Sequence, residues 1–394
     1  MKKYHICLVS EEYPEETNYG GISTYNKALA DLLINDGHKV TVITSSTKNY
    51  NEYYEDGIRV IRITPFFRKI VFLEKLIGYR LAVCLKLKSI IKDEKIDIIE
   101  TPEWKAELFL LFLFNLHKKL NIVVRLHGCR SIIRKYNNEN INIADKFVIM
   151  FEKLILKKAK NISSISEAVL VETENILNIN LREKSEIIYN FIESKDKVIN
   201  QFKKTEDCIN ILFVGRLDYL KGIFTIADVI QKLLDKYNNL NFIFIGKDYY
   251  DKTNLKFNSE IILSKVNDSD KEKVKFLGHI EKSKLDEYYK KAYVTVLPSH
   301  FESFGFTCIE SMYNGTPVIG GNHGGMSEII SDKINGILID PNDREDLYLS
   351  ICKLIDNIDL RNLMGAKAVE TIDEKFTDKI IIKKINNYYK QILR

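Results

Sequence analysis

Short apolar runs rich in isoleucine and valine alternate with helix-like patterns along the chain, and this alternation occurs once in each half. The predicted strands read HICLVS, KVTVIT, IRVIRIT, IDIIE and IVVRLHG in the first half, and INILFVG, LNFIFIG, VKFLG, AYVTVLP, TPVIGG and GILID in the second. Apolar strands that are separated by helices predict a parallel sheet covered on both faces. The chain therefore predicts an α/β fold with two doubly wound domains.

A polar stretch without periodicity separates the two halves. We interpret residues 193–208, ESKDKVINQFKKTEDC, as a linker between a first domain, 1–192, and a second domain, 209–376. Residues 377–394 are predicted to form a C-terminal helix, which is a candidate to cross back to the first domain. Ligands of open α/β sheets bind outside the carboxyl ends of the strands, so functional residues are expected there, facing a cleft between the domains.

The composition argues against several classes of protein. The 394 residues are 45% apolar, enough to bury more than one core. Apolar runs such as residues 108–114 fall short of the ~20 residues that cross a bilayer, and the first residues lack the apolar core of a signal peptide, so we expect a cytoplasmic protein. The six cysteines are scattered without a C-x-x-C pair, which predicts neither a zinc site nor disulfides. The net charge of +5 is too small to imply nucleic acid as a partner.

The positive charge is unevenly distributed. Residues 1–192 contain 29 Lys and Arg against 24 Asp and Glu, whereas the remainder is balanced at 30 against 30. Within residues 66–92 there are seven basic residues and one acid, Glu74. This basic, apolar segment has two interpretations: an interfacial helix on anionic lipid at the inner face of the membrane, or a helix packed on the sheet with solvated lysines.

Three loops after predicted strands contain residues suited to binding anions or sugars. Arg216 and Lys221 lie between the strand that ends at Gly215 and the next helix, where cations and the helix N-terminus would hold a diphosphate. Gly20-Gly21 opens a helix and would let backbone approach a ligand. His127 ends IVVRLHG, and its side chain titrates nearest neutrality. Solvated charges, an ordinary turn and a packed histidine explain each feature equally well when it is taken alone.

The segment HFESFGFTCIE contains two acids, Glu302 and Glu310, at and inside a helix predicted from about Ser303 to Asn314. Eight helical residues rise roughly 12 Å, more than the ~5–9.5 Å between the paired carboxyls of glycosidases. The acids are therefore expected to bind hydroxyls at opposite ends of an extended ligand, with the helix start at its phosphates, as in a nucleotide sugar. Taken alone, they would be a helix-entry acid and a solvated mid-helix acid. The glycine-rich GGNHGGMSEII that follows brings further backbone donors.

Taken together, these segments resemble the retaining glycosyltransferases of family 4, which have the GT-B fold. The resemblance covers nearly the whole chain and rests on YGGISTYNKALADLLINDGHKVTVIT, VRLHG, YNFIE, VGRLDYLKG, FESFGFTCIE and NHGGMSEII, in this order and spacing. FESFGFTCIE matches the E-x7-E pattern of the family. The resemblance implies two Rossmann-like domains facing each other across a cleft, the first for the acceptor and the second for the nucleotide-sugar donor.

The resemblance also implies roles for individual residues. Arg216 and Lys221, with Gly215, would hold and neutralise the leaving diphosphate, while Glu310 would bind the ribose and Glu302 the transferred sugar. His127 would lie near the reacting carbon. The remaining donor-binding residues supply backbone groups for phosphate and sugar: Gly20, Gly21, Ser303, Phe304, Gly305, Phe306, Gly324 and Gly325.

Some positions depart from the family pattern, and one has two possible interpretations. GKDYYDK replaces the usual G-x-G-P, so Lys247 and the backbone near Gly278-His279 are candidates for recognising the base. NFIE replaces a segment with glycine and aspartate, which makes Asn190 a second-rank candidate, as Asn322 is. Trp104, the only tryptophan, would stack on an acceptor sugar or pack in the core. Asp268 and Asp270 form a D-x-D in a polar loop, and no metal or other cofactor is expected.

The sequence thus predicts a metal-independent retaining glycosyltransferase that moves a hexose from a nucleoside diphosphate sugar, with UDP favoured, to a hydroxyl of a sugar or lipid-linked acceptor. The expected setting is surface polysaccharide or glycolipid synthesis. The alternatives are a GT-B nucleotide-sugar epimerase and a non-catalytic nucleotide-sugar-binding protein. A glycosidase is the weakest alternative, because Arg216 and Lys221 would then have no role.

Overall fold

The structure is a computed structural model that describes residues 2–16, 20–137, 139–194 and 208–394. Within them the chain divides into two compact units. The first unit contains Met1–Asn190 and Asp378–Arg394, and the second contains Phe191–Thr377. Most of the predicted linker, residues 195–207, lies outside the described residues. The C-terminal helix of the chain belongs to the first unit.

The first unit is built on an eight-stranded sheet whose order is β3-β4-β2-β1-β5-β6-β7-β8. All neighbouring strands run parallel except β3, which pairs antiparallel with β4. β-branched and apolar side chains fill the central strands, and all five residues of β1 are buried. The strands are β1 His5–Val9, β2 Lys39–Ser45, β3 Asn51–Glu55, β4 Ile58–Ile63, β5 Ile98–Pro102, β6 Ile122–Leu126, β7 Asn161–Ser164 and β8 Ser185–Ile187.

Helices connect these parallel strands, as the alternating pattern predicts. The helices of the first unit are α1 Gly21–Asn35, the single turn α2 Val71–Leu73, α3 Tyr79–Asp93, α4 Phe109–Leu113, α5 Arg130–Tyr136, α6 Ile143–Lys158, α7 Glu167–Leu177 and, from the C-terminus, α15 Asp378–Ile392. Tyr388 and Tyr389 of α15 donate hydrogen bonds to Ile162 O and to the Glu100 carboxylate, at 2.8 and 2.7 Å. These bonds fix α15 against the sheet of the first unit.

The second unit contains a six-stranded, fully parallel sheet of order β13-β10-β9-β14-β15-β16 and a small hairpin of β11 and β12. Its strands are β9 Ile209–Val214, β10 Leu240–Ile245, β11 Tyr250–Asp251, β12 Lys256–Phe257, β13 Val274–Phe276, β14 Val294–Leu297, β15 Val318–Gly321 and β16 Gly336–Ile339. Its helices are α8 Ile223–Lys236, α9 Asn258–Leu263, α10 Lys282–Lys291, α11 Phe306–Tyr313, α12 Met326–Ile329, α13 Arg344–Asp356 and α14 Ile358–Lys375.

Both main sheets reverse their order next to their first strand. In the first unit the reversal falls between β1 and β5, and in the second it falls between β9 and β14. At such a switch point the connections leave in opposite directions, which opens a crevice at the carboxyl ends of the two strands. The loops that follow β1, β5, β9 and β14 are therefore the places where ligand-binding residues are expected.

Two local predictions are wrong. The basic segment 66–92 is not one helix, because residues 66–70 are irregular, residues 74–78 form a π-type turn and α3 begins only at Tyr79. α3 buries Leu87, Ile90 and even Arg80, so this part of the segment packs on the sheet. The helix expected from Ser303 begins at Phe306, because Gly305 adopts a φ of 111°, which a right-handed helix does not allow.

The described part of the chain contains no helix with both the length and the apolar character needed to cross a membrane. All six cysteines are free thiols.

Candidate functional site

The switch point of the second unit brings Lys221 and Glu302 together. Lys221 follows β9 at the end of a short 3-10 turn, Tyr219–Lys221, and Glu302 lies in the loop after β14. The Lys221 ammonium donates a hydrogen bond to the Glu302 carboxylate, and the two side chains keep 20% and 23% of their surface exposed. Because both groups remain partly accessible, a ligand can reach a cation and an acid side by side in this crevice.

Asp218 organises the loop that carries Lys221. Its carboxylate accepts a hydrogen bond from the Lys221 backbone N–H at 3.1 Å and pairs with the Arg216 Nε at 3.1 Å. One acid thus fixes the backbone under the lysine and orients the guanidinium, which is 46% exposed. Gly215 N–H donates to Ile245 O, so the β9 end is anchored to β10. The predicted diphosphate loop is therefore an ordered, cationic structure.

The loop that carries Glu302 packs against the glycine-rich turn after β15. Gly325 N–H donates to Glu302 O at 2.6 Å, and Gly324 adopts a φ of 84°. A Cβ on Gly324 would collide with Glu302 O, and one on Gly325 would come within 2.7 Å of Ser303 O and of the Phe304 Cα. These glycines are needed for the close approach of two protein loops. The Gly325 N–H therefore already donates its hydrogen bond to a protein carbonyl, Glu302 O.

Glu310 lies in the second turn of α11, whose first turn starts at Phe306 after Gly305. Its carboxylate accepts a hydrogen bond from the Tyr289 hydroxyl at 3.0 Å and lies 3.6 Å from the Lys282 ammonium. Burial raises the pKa of Glu310, and Lys282 opposes this shift. Glu302 precedes this helix, so the eight residues from Glu302 to Glu310 are not all helical. The distance between the two acids therefore cannot be taken as the helical rise of about 12 Å that the sequence suggested.

The second-rank candidates of the second unit lie in loops at the same edge of the sheet. Lys247, which follows β10, is exposed, and its carbonyl accepts a hydrogen bond from Leu217 N–H in the Lys221 loop at 2.9 Å. His279 is exposed after β13, next to Gly278, whose carbonyl accepts from Gly246 N–H at 2.8 Å. Asn322 is exposed after β15 and is held by its backbone bond to Ile339 O.

His127 lies in the first unit at the end of β6 and is only 9% exposed. Its backbone N–H and that of Gly128 donate to the Glu103 carboxylate at 2.7–2.9 Å. Its ring packs edge-on against Tyr25, with ring centroids 5.3 Å apart. Burial, assisted by Arg125, lowers the pKa of His127 well below its ordinary value, so the imidazole is neutral at physiological pH.

Two buried acids, Glu103 and Glu152, lie in this region of the first unit. Glu103 is fully buried, and burial raises its pKa to about 7, opposed by backbone N–H groups. Glu152 of α6 accepts from the backbone N–H groups of Lys105 and Arg130 at 3.1 and 2.9 Å, and burial raises its pKa to about 8. The two acids tie the loops after β5 and β6 to the body of the unit.

The remaining candidates of the first unit have distinct environments. Gly20 and Gly21 are exposed at the start of α1. Asn190 is 2% exposed, and its side-chain oxygen accepts from Arg125 at 3.0 Å, which gives it a structural role. Trp104 is half-buried, with the Arg130 guanidinium 5.2 Å from its ring.

Sequence reasoning missed Asp218, Tyr289 and Glu103. Asp218 could have been found from its place in the cationic loop, three residues before Lys221. Tyr289 and Glu103 carry no local signal, because their importance arises from partners 21 and 24 residues away.

Both acids of the D-x-D motif form ion pairs with lysines. Asp268 and Asp270 accept hydrogen bonds from Lys271 and Lys273, which lower the pKa of both carboxyls. Among the described residues, no group of three or more histidines, cysteines and acids has a geometry that would hold a metal ion.

Two family profiles together match nearly the whole chain. The family described as Glycosyltransferase Family 4 matches residues 19–196, and the one described as Glycosyl transferases group 1 matches residues 194–371. An uncharacterized glycosyltransferase of Methanocaldococcus jannaschii is 27% identical over 98% of this chain and 97% of its own length. The chain belongs to glycosyltransferase family 4.

Solved structures show the fold of this glycosyltransferase. Sucrose-phosphate synthase from Thermosynechococcus elongatus matches with a TM-score of 0.78 and 21% identity over 99% of both chains. HepE of Anabaena in complex with UDP-glucose matches with a TM-score of 0.73 and 16% identity over 98% of this chain and all of its own. The prediction of an α/β, GT-B fold is confirmed.

Proposed function

We propose that this glycosyltransferase is a metal-independent, retaining hexosyltransferase that uses a nucleoside diphosphate sugar, with a UDP-sugar favoured, and a hydroxyl of a sugar or lipid-linked acceptor. The observation that carries the proposal is the meeting of Lys221 and Glu302 at the β9–β14 switch point, with Arg216 in the same loop. The complex of HepE with UDP-glucose supports the choice of UDP.

The proposed donor lies along this crevice. Its diphosphate competes with Glu302 for the Lys221 ammonium and takes a second contact from Arg216, whose guanidinium is accessible. Glu302 then accepts from hydroxyls of the transferred sugar, while Glu310, positioned by Tyr289, accepts from the ribose. The first turn of α11 adds backbone N–H groups and a favourable dipole near the phosphates.

In the proposed reaction the bond between the anomeric carbon and the diphosphate oxygen breaks, and the acceptor oxygen bonds to that carbon on the same face. The acceptor proton leaves with the nucleoside diphosphate. Arg216 and Lys221 lower the barrier because they stabilise negative charge that grows on the leaving group, in a site arranged before reaction.

The proposed setting is surface polysaccharide or glycolipid synthesis by a cytoplasmic enzyme that contacts the inner membrane surface through residues 66–92. Six large apolar side chains between Phe66 and Leu73 are exposed, which supports contact through the start of this segment. The packed helix α3 contributes less, because one of its faces is buried against the unit.

Thermal melting with UDP, ADP, GDP and UDP-glucose tests the donor site. We expect UDP compounds to raise the Tm of the wild type, Arg216→Ala and Lys221→Ala to lose the shift, and Lys284→Ala to keep it. Lys284 is a matched control, since its side chain is 70% exposed on α10 and pairs with the neighbouring Glu281. A wild type that no nucleotide stabilises would refute donor binding.

Product analysis with and without an acceptor distinguishes the proposed transferase from its alternatives. With UDP-glucose and an acceptor, a transferase releases UDP and forms a glycoside. An epimerase would change the donor sugar without any acceptor, and a binding protein would show the Tm shift with no product from any acceptor. The anomeric configuration of the glycoside, read by NMR, tests retention.

A further inference from the structure

The loop that carries Arg216 and Lys221 lies beside the segment that follows β10. β9 and β10 are neighbouring parallel strands, and an isolated parallel bridge between Leu217 and Asp248 continues their pairing beyond the strand ends. Leu217 lies between Arg216 and Asp218 in the chain and is only 2% exposed. The groups that hold Leu217 therefore determine where the backbone of Arg216 lies.

Both backbone groups of Leu217 are held by residues that follow β10. Its N–H donates a hydrogen bond to Lys247 O at 2.9 Å, and its carbonyl accepts one from the side-chain Nδ2 of Asn258 at 2.7 Å. Asn258 lies at the start of α9, 41 positions further along the chain. The side chain of Asn258 thus fixes the peptide group that joins Leu217 to Asp218.

The β11–β12 hairpin brings Asn258 to this place. The chain departs at Asp248, forms the hairpin and returns at Asn258, whose backbone N–H donates to Tyr249 O at 2.9 Å. Asp248 closes the base of the hairpin, because its carboxylate accepts from the backbone N–H and the hydroxyl of Ser259 at 3.3 and 2.6 Å. These bonds give Asn258 a fixed position next to the Leu217 carbonyl.

The other end of the Asn258 amide shows that stability alone does not explain this residue. Asn258 is 5% exposed, and among the described residues its side-chain oxygen is buried without a hydrogen-bond partner. A buried acceptor without a partner costs free energy of desolvation, which an apolar side chain would avoid. The bond from Nδ2 to Leu217 O is therefore the contact that explains an amide at this position.

The peptide group after Leu217 is connected to both cations of the loop through Asp218. The Asp218 N–H donates to Arg216 O at 2.9 Å. The Asp218 carboxylate pairs with the Arg216 Nε and accepts from the Lys221 backbone N–H, each at 3.1 Å. A shift of this peptide would move Asp218, and with it the guanidinium of Arg216 and the backbone under Lys221.

We propose that Asn258 is a positioning residue of the donor site: its bond to Leu217 O holds Asp218 and Arg216 in the arrangement that receives the donor diphosphate. The inference rests on the proposed function, since it adds a residue that acts on the diphosphate through Arg216. Groups that are ordered before the ligand arrives bind it more tightly, because less conformational freedom is lost on binding.

Calorimetric titration with UDP at pH 8 tests the role of the amide. Asn258→Leu removes the Nδ2 donor without adding a charge, and should weaken UDP binding about three- to tenfold, because the charge-assisted contact from Arg216 is no longer held in place. Failure of Asn258→Leu to weaken UDP binding would overturn the proposal.

Asn258→Asp separates the hydrogen bond from the start of α9. Aspartate keeps the shape of the side chain and places an acid in the first turn of the helix, where the helix dipole favours it, but the ionised carboxylate cannot donate to Leu217 O. We expect it to weaken UDP binding at least as much as Asn258→Leu. An affinity equal to that of the wild type would show that Asn258 serves only the helix start and would overturn the proposal. If Asn258→Leu does not fold, this variant decides.

A double-mutant cycle with Arg216→Ala distinguishes positioning from a general loss of structure. If Asn258 acts through Arg216, Asn258→Leu should weaken UDP binding by less than about twofold once Arg216 is absent. Equal fold-losses in the two backgrounds would mean that the two residues act independently, and would overturn the proposal.

Asn335→Leu is the matched control. Asn335 is another buried amide of the second unit, 1% exposed, whose Nδ2 donates to Ile329 O and to the Thr371 hydroxyl at 3.2 and 2.9 Å. It directly precedes β16, so it lies at the amino end of a strand, whereas the Lys221 loop lies at the carboxyl end of β9. Its substitution should leave the UDP affinity of the folded protein unchanged. A loss as large as that of Asn258→Leu would overturn the proposal.

Hydrogen exchange of the ligand-free proteins separates this inference from the proposed function. Asn258→Leu should speed the exchange of the Leu217 and Lys221 amides about fivefold or more, whereas Asn335→Leu should not. These amides donate to Lys247 O and to the Asp218 carboxylate, and both contacts loosen when the Leu217 carbonyl is released. Unchanged exchange overturns the inference alone, even where UDP binds the wild type. Faster exchange, with a wild type that binds none of UDP, ADP and GDP, overturns the proposed donor site and supports the role of Asn258 in ordering the loop.

Discussion

The two switch points of this molecule share a topology and differ in chemistry. Between β9 and β14 the second unit presents Arg216 and Lys221 in a partly exposed loop, balanced by Glu302. Between β1 and β5 the first unit presents Glu11 and Glu107 around a cavity, with its cations already paired. One crevice presents accessible cations, as the proposed diphosphate site requires, and the other presents acids beside cations that are already engaged. Sheet topology therefore determines where a ligand binds, while the loop residues determine which ligand it is.

The two crevices also differ in how their acids are used. Glu302 in the second unit pairs with Lys221, but both side chains are partly exposed, so a ligand can reach the Glu302 carboxylate. Glu103 in the first unit is fully buried and accepts backbone N–H groups of the β6 loop. We therefore expect substitution of the accessible Lys221 or Glu302 to affect catalysis, and substitution of the buried Glu103 to affect stability.

The largest expected effect is that of Lys221→Ala. Loss of this cation removes charge stabilisation of the leaving diphosphate, so kcat/KM for transfer from UDP-glucose should fall on the order of 10³-fold. The free energy of unfolding should change by less than about 1 kcal/mol, since a partly exposed ion pair contributes little to stability. Initial rates and urea unfolding check the two halves of this prediction. A loss of stability with unchanged kcat/KM would reverse the contrast between the units.

Glu103→Ala should have the opposite profile. It leaves the backbone N–H groups of His127 and Gly128 without their acceptor in a fully buried site, so the free energy of unfolding should fall by about 2–4 kcal/mol. Urea unfolding measures the loss, and Tm shifts with UDP should persist in the folded fraction. Glu302→Ala is the matched glutamate control, for which we expect a stability change below about 1 kcal/mol.

Two glycines provide a smaller test of local geometry. Gly324→Ala should destabilise the protein by about 2 kcal/mol, because alanine disfavours a φ of 84° and its Cβ would collide with Glu302 O. Gly20→Ala should cost less than about 1 kcal/mol, because Gly20 has extended backbone with φ 177° and the nearest atom to its Cβ lies 3.8 Å away. Thermal or urea unfolding of the two variants checks this, and equal losses would contradict it.

The last test of this comparison is a pH dependence of the first unit. Burial raises the pKa of Glu103 to about 7 and that of Glu152 to about 8, from 4.5. An acid with a raised folded-state pKa retains a proton that the unfolded chain releases, so its contribution to stability is complete below about pH 4.5 and is lost as the pH rises to about 8. Between pH 5 and 8, the stability of the Glu103→Gln/Glu152→Gln variant should therefore fall less steeply with pH than that of the wild type.

Asp340→Asn in the second unit is the control for this pH series. Hydrogen bonds from Asn342 lower the pKa of Asp340, so its contribution is present above the unfolded pKa of 3.8 and is lost only in acid. It should therefore leave the slope between pH 5 and 8 unchanged. Urea unfolding at several pH values gives the slopes, and an identical slope for wild type and the double glutamine variant would contradict the assignment.

The sequence predicted the fold class because periodicity is local. Alternating apolar strands and helices indicated two parallel sheets, and the order and spacing of segments such as VGRLDYLKG and FESFGFTCIE indicated family 4. The strand β3 was not predicted, because NEYYE is exposed and polar and pairs only at the sheet edge. The start of α11 was misplaced because the positive φ of Gly305 depends on the packing of its loop.

The chain by itself determined which residue types follow each strand: two cations after β9, two spaced acids around the start of α11, and a basic, apolar segment after β4. Only the tertiary structure decided which of these side chains meet. Lys221 and Glu302 are 81 positions apart, and Glu11 and Glu107 are 96 positions apart, yet each pair lies at one switch point. The physical reason is that parallel strands far apart in sequence end at the same edge of a sheet. No local sequence pattern shows which of the loops at that edge will be neighbours.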